Sequence, residues 1–172
     1  MMKSYDIIIL LKKTTPKGQN LSCRGLAESL GISVSSVSEG LERCKKAQLL
    51  DRNKKRVNAL ALLEFLSHGI MYVFPVETGR MIRGIPTYIS AAPMSDRITN
   101  NGETFVWKYA KGTVRGQQIE PLYASVPEAV QKDDDLYQLL AIVDTFRVGS
   151  AREREIAVEE LTKRIMCYAE NK

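Results

Sequence analysis

The chain is predicted to fold as α+β, mostly α, and three observations carry that prediction. The stretch Leu21 to Leu50, LSCRGLAESLGISVSSVSEGLERCKKAQLL, reads as two short helices joined by a tight turn, and the charged DRNKKRV after it reads as a hairpin. Residues 70–122 hold four of the six prolines and read as extended, irregular chain with one or two short strands. Beyond them two helical patterns, DDDLYQLLAIVDTFR and REREIAVEELTKRIMCYAE, are parted only by a break at Gly149, which predicts a C-terminal helical hairpin. The expected organisation is an N-terminal domain over 1–69 and, over 70–172, an extended segment plus a helical body packed on the first.

At 172 residues, 44% hydrophobic and 26% charged, the chain is long enough to bury a core and has neither a disordered nor a membrane composition. The run IIILL is too short to span a bilayer, meets Lys12 and Lys13 at once, and lacks the layout of a secretory signal, so a cytoplasmic protein without membrane contact is expected. Cys23, Cys44 and Cys167 are odd in number and far apart, and His68 is the only histidine. Neither a disulfide framework nor a zinc site is indicated, and no metal or cofactor is expected; Cys23 and Cys44 fall where small apolar side chains pack. Charge is uneven: residues 1–60 hold 12 Lys and Arg against 5 acids, and the remainder 13 against 15. A basic head on a near-neutral body fits a polyanion-binding module joined to a packing or assembly unit.

Taken in order, Ser4 is placed as the cap of a first helix through Lys13, with Ile7, Ile8, Leu10 and Leu11 apolar. Thr14 to Asn20, with Pro16 and Gly18, is a loop. Ser22 caps a second helix whose Leu26 and Leu30 face inward, Gly31 ends it, and Ser33 starts the third. On that third helix Val34, Val37, Leu41 and Cys44 are expected to form the buried stripe, opposite a face of Ser35, Ser36, Glu39, Arg43 and Lys46. Leu49 and Leu50 begin a short strand, Asn53 and Lys54 turn it, and Lys55 to Asn58 return, which places a basic wing directly after the helix pair. Together these elements outline a winged helix-turn-helix, in which the third helix enters a major groove and the wing lies along the backbone.

The segment LAESLGISVSSVSEGLERC resembles the helix-turn-helix of bacterial, MarR-like winged-helix regulators. Ala27 stands where close helix packing demands a small residue, Gly31 lies in the turn, and Ile32 and Val37 lie in the hinge core. One position departs from the pattern: Gly40 replaces the usual aliphatic residue late in the recognition helix, at up to about 1 kcal/mol relative to Ala. The whole chain also resembles bacterial proteins of unassigned role that join such a module to a C-terminal body, through FLSHGIMYVFP, RGIPT, AAP, GTVRG, PLYASVP and SAREREIAVEEL.

In the body, Asn58 caps ALALLEFLSHG, a helix apolar nearly all round and expected to be buried on most sides, with His68 at its end beside the favourable dipole. Arg80, Arg83 and Arg115 lie near glycines, so they form a candidate anion or effector site, against the ordinary alternative that they tie the loop to acids or carbonyls. Phe105, Trp107 and Tyr109 alternate, as in a half-buried strand. Pro127 opens a short helix, acids fill the first turn of the next, Ser150 caps the last, and Ala157, Leu161, Ile165 and Tyr168 face inward on it.

The expected function is a sequence-specific DNA-binding transcription regulator acting on double-stranded DNA as a homodimer. Phosphates would be held by Lys45, Lys46, Arg52, Lys54, Lys55 and Arg56, and bases read by Ser33, Ser35, Ser36, Glu39 and Arg43. The alternative is a protein-interaction role, antitoxin-like, toward the product of a neighbouring gene, motivated by the large body and by Glu39 and Glu42, which repel phosphate. No catalytic residue is assigned, since the nucleophile elbow, Walker loop, dinucleotide fingerprint and zinc deaminase signature are all absent, and an enzyme is not expected.

Overall fold

In a computed structural model, which describes residues 1–171, the chain is a mixed α+β protein built mostly of helix around one small sheet. Helix α1 (Ser4–Lys13) is its centre. Ile7 to Leu11 are all 0% exposed, so the helix is enclosed on every side. Its cap is Lys3 rather than Ser4: the Asp6 carboxylate reaches back to accept the Lys3 backbone N–H at 2.8 Å. At the other end Lys12, buried, donates to Asp133 at 2.7 Å, and Thr15 donates to the same carboxylate at 3.0 Å. Burial alone would raise the Asp133 carboxyl, but these two donors outweigh it and hold it below its ordinary value.

Helices α2 (Cys23–Leu30) and α3 (Val34–Lys46) pack on α1 and on each other. Ser22 and Ser33 cap them through the amides of Gly25 and Ser36, both at 3.1 Å. Gly31 sits between them at φ 66°, a conformation that glycine adopts without a Cβ penalty, and Ile32 is buried behind the turn. After α3 the chain doubles back through a single bridge, Leu50↔Val57, with Asp51 N–H bonded to the Arg56 carbonyl at 2.9 Å. The Asp51 carboxylate stiffens this short hairpin by accepting the amides of Lys55 and Arg56 at 2.7 and 3.1 Å.

Helix α4 (Ala59–His68), capped by Asn58, buries only one side, through Ala59, Leu62 and Leu66; Leu60 is 67% exposed. The expectation of burial all round fails because α7 and α8 cover one flank alone. A single turn, α5 (Ile70–Val73), follows, with Tyr72 and Val73 exposed.

The expected one or two strands of the middle segment are three. β1 (Met81–Pro86) pairs antiparallel with both β2 (Phe105–Lys108) and β3 (Val114–Gln118), and β2 pairs parallel with β3, so the three close on one another as a small barrel. Gly84 is where β1 faces both partners, Lys108 and Val114. A Cβ there would run into the Trp107 carbonyl, so closure at this point requires glycine. β2 is buried through Phe105, Val106 and Trp107 rather than alternating.

Helices α6 (Val126–Ala129), α7 (Asp134–Val148) and α8 (Ala151–Glu170) complete the chain; Ser150 caps α8 in a reciprocal box with Glu153. Ala157, Leu161, Ile165 and Tyr168 are buried on α8. The barrel is fastened to α7 around Asp144, which is 2% exposed and accepts from Thr87 Oγ1 at 2.6 Å, Trp107 Nε1 at 2.7 Å and Arg147 at 2.9 Å. Arg147 also donates to the carbonyls of Phe74 and Glu120, and Tyr137 to that of Pro86. One continuous buried cluster runs from Tyr5 to Tyr168. Among the described residues no helix is long and apolar enough to cross a membrane.

Candidate nucleic-acid interface

Four residues form the inward face of α3: Val37, Gly40, Leu41 and Cys44. Val34, expected in that stripe, is 48% exposed, because the packed arc centres between Val37 and Cys44 and leaves Val34 at its edge. Gly40 takes its place for a steric reason. A Cβ on Gly40 would lie 2.7 Å from Asp6 Oδ1 and 2.9 Å from Ile9 Cδ1, so α1 crosses α3 too closely there for any side chain. Burial raises the Cys44 thiol to about 12, and it behaves as an apolar filler.

The same crossing removes Arg43 from the outward face. Its guanidinium forks onto the buried Asp6, Nε to Oδ2 at 2.7 Å and a terminal nitrogen to Oδ1 at 2.9 Å, donates to Tyr5 Oη at 3.1 Å, and lies over the Tyr5 ring. The Asp6 contact raises the Arg43 pKa further above its already high value. Arg43 is therefore a clamp between α1 and α3 and not free to meet a base, which corrects the reading from helical spacing. Asp6 was missed, although a lone acid directly before the apolar run IIILL signals a buried carboxylate that needs a partner.

The outward face of α3 carries Ser35, Ser38, Glu39 and Lys46, all exposed, with Glu42 beside them. Ser38 belongs there by its spacing and had not been singled out. Ser33 is spent on the cap, donating to Ser36 Oγ at 2.8 Å, and Ser36 is half-buried. Two of the six expected phosphate contacts are already paired within the fold: Glu42 bonds both Lys45 and Lys54, each at 2.8 Å, which leaves the trio a net charge of +1. The bonds from Lys45 and then Lys54 draw the Glu42 carboxyl down to about 2. Arg56 lies over the Tyr168 ring at 5.6 Å. Lys46, Arg52 and Lys55 are exposed, and among the described residues they make no ion pair. Arg24 on α2, another cation that charge counting alone did not single out, is likewise exposed and makes no ion pair among the described residues.

A second basic face lies on the barrel. Arg83 and Arg115 are directly opposite each other across β1 and β3, and with Arg80 and Lys108 they line an open groove of about 540 Å³. Like charges at cross-strand positions destabilise a sheet. Among the described residues none of the four has an acid partner, and none of the three arginines bonds a carbonyl; that anchoring role belongs to Arg147. The chain matches no protein-family model, no curated protein and no solved structure.

Proposed function

We propose that the protein is a winged helix-turn-helix, sequence-specific DNA-binding transcription regulator of bacterial, MarR-like type, acting in the cytoplasm as a homodimer. The observation that carries this reading is the outward face of α3, whose Ser35, Ser38, Glu39 and Lys46 are all exposed and which is followed at once by a hairpin bearing Arg52 and Lys55, without ion pairs among the described residues. On this reading α3 enters the major groove. Ser35, Ser38 and Glu39 meet base edges, Glu39 as acceptor from a cytosine amine, while Lys46, Arg52, Lys55 and Arg24 hold phosphates. Arg80, Arg83 and Arg115 form a separate anion-binding face. The test is duplex binding by the full chain, first by selection from genomic fragments and then against salt. Affinity that falls steeply with salt and concentrates on a defined sequence supports the proposal; no duplex binding at low salt overturns it.

A second reading is favoured by a specific observation. Leu60, Tyr72 and Val73 are 67%, 79% and 50% exposed, and the α3 face is close to neutral because of Glu39 and Glu42. An antitoxin-like protein partner would cover such surfaces. Recovery of a stoichiometric partner from native extract, lost on Tyr72→Ser, separates it from DNA binding.

A further inference from the structure

The loop after α1, the opening of α2, the flank of α3, the hairpin and the last turn of α8 surround a cavity of about 810 Å³. Its lining is one-sided in charge. Lys13, Lys54, Lys55 and Arg56 contribute to it, and among the described residues no Asp or Glu does. Lys13 sets this cavity apart from an ordinary basic surface. The residue is only 4% exposed, and unlike its neighbour Lys12, which has Asp133 at 2.7 Å, it makes no ion pair or hydrogen bond among the described residues.

Burial lowers the Lys13 pKa from its ordinary 10.5, against the pull of Asp51 and Cys23, the titratable groups closest in effect. Asp51 is the acid that acts on Lys13 most strongly, but it forms no ion pair with it, and its Oδ1 is taken by the amides of Lys55 and Arg56. The Lys13 ammonium reaches the cavity rather than being sealed from it, and with Asp51 acting on it only at a distance it has no contacting counter-charge, a place that an anion entering the cavity can take. The neighbouring groups suit such a guest: Gln19 and Asn53 offer amides, and the positive end of the eight-residue α2 opens onto the cavity at Ser22 and Cys23.

We propose that this cavity binds a small anionic ligand through a phosphate or carboxylate group that pairs with Lys13, and that the ligand fastens the basic hairpin to the start of α2. The proposal stands on the cavity and is independent of whether the chain binds DNA. One wall is the hairpin and another is the α2–α3 unit, so occupancy fixes the two relative to each other, which is the arrangement an effector of a winged module needs.

The experiment titrates the full chain with inorganic phosphate, pyrophosphate and citrate at constant ionic strength. It reads thermal unfolding together with the side-chain NMR signal of Lys13. The expected result is saturable stabilisation by at least one of the three, with the Lys13 titration midpoint moving up toward that of an ordinary lysine when ligand is bound. Response to the phosphates or to citrate identifies the anionic group. Lys13→Met keeps the apolar stem, is expected to unfold no earlier than the parent without ligand, and should lose at least tenfold in affinity; Arg152→Ser, exposed on α8 and outside the cavity, should lose none. Stabilisation that merely follows ionic strength, survives Lys13→Met unchanged, or leaves the Lys13 signal still overturns the proposal. So does a Lys13 signal that responds to duplex DNA alone, or to nothing. The NMR arm needs no variant, so a misfolded Lys13→Met still leaves a decision.

Discussion

Gly40 and Asp144 are the positions where single atoms decide the packing. By helix propensity alone, alanine at Gly40 should stabilise by about 1 kcal/mol. The Asp6 and Ile9 contacts at 2.7 and 2.9 Å reverse the sign, because both groups are buried and Asp6 is held by Arg43 and Lys3. Gly40→Ala is predicted to destabilise by about 1–3 kcal/mol, the range for overpacking a tight core. Chemical denaturation measures it, and a stabilised variant would show that α1 and α3 are not in this contact. Asp144 is the converse case, a buried charge satisfied by three donors. Burial raises its pKa, and Arg147, Thr87 and Trp107 offset that rise only in part. Asp144→Asn leaves Arg147, whose side chain is 5% exposed, without its counter-charge. A loss of about 3–5 kcal/mol is expected, with altered Trp107 fluorescence; a loss below about 1 kcal/mol would mean that the barrel is not fastened to α7 through this carboxylate.

Among the elements, the hairpin after α3 is governed by Glu42. Its carboxyl lies below the ordinary 4.5, at about 2, because Lys45 and Lys54 bond to its ionised form. A depressed folded-state value means that this contribution is complete above pH 4.5 and fades as pH falls toward 2. Lysine side-chain NMR should show Lys45 and Lys54 released together in that window; release of neither would remove the clip. Glu42→Gln is predicted to free both cations and strengthen duplex binding, and an unchanged affinity would mean that neither lysine faces phosphate.

How far such elements could be read from sequence depended on what stabilises them. The helices α2, α3, α4, α7 and α8 were legible because caps at Ser22, Ser33, Asn58, Asp133 and Ser150 and the turn glycine Gly31 act locally. The barrel was not, because β2 is buried on consecutive residues and β1 and β3 are interrupted by glycines that serve closure, so the period-two alternation is hidden. Site residues were legible where exposure follows spacing, as for Ser35, Glu39 and Lys46. They were not where a distant partner intervenes, as Asp6 does for Arg43 and Glu42 for Lys54.

Across the whole molecule, α1 ties the parts together: it packs on α2 and α3 on one side and on α7 on another, and its Lys12 is bonded to Asp133 just ahead of α7. The basic excess of residues 1–60 is thus carried on a body whose core is continuous with it. Of the twelve basic residues there, Lys12, Arg43, Lys45 and Lys54 are paired with Asp133, Asp6 and Glu42, so the surface charge available to a polyanion is smaller than the count of basic residues implies.

This makes the salt dependence of duplex binding the most direct measurement. With Lys46, Arg52, Lys55 and Arg24 on phosphates, log affinity should fall linearly with log salt at a slope of about −3.6 per protomer, roughly −7 for the homodimer, since each neutralised phosphate contributes about −0.9. Lys55→Ala should reduce that slope by about one unit, and Lys54→Ala, already paired with Glu42, by less. Binding absent at low salt, or a slope unchanged by Lys55→Ala, would contradict DNA recognition by α3 and its hairpin.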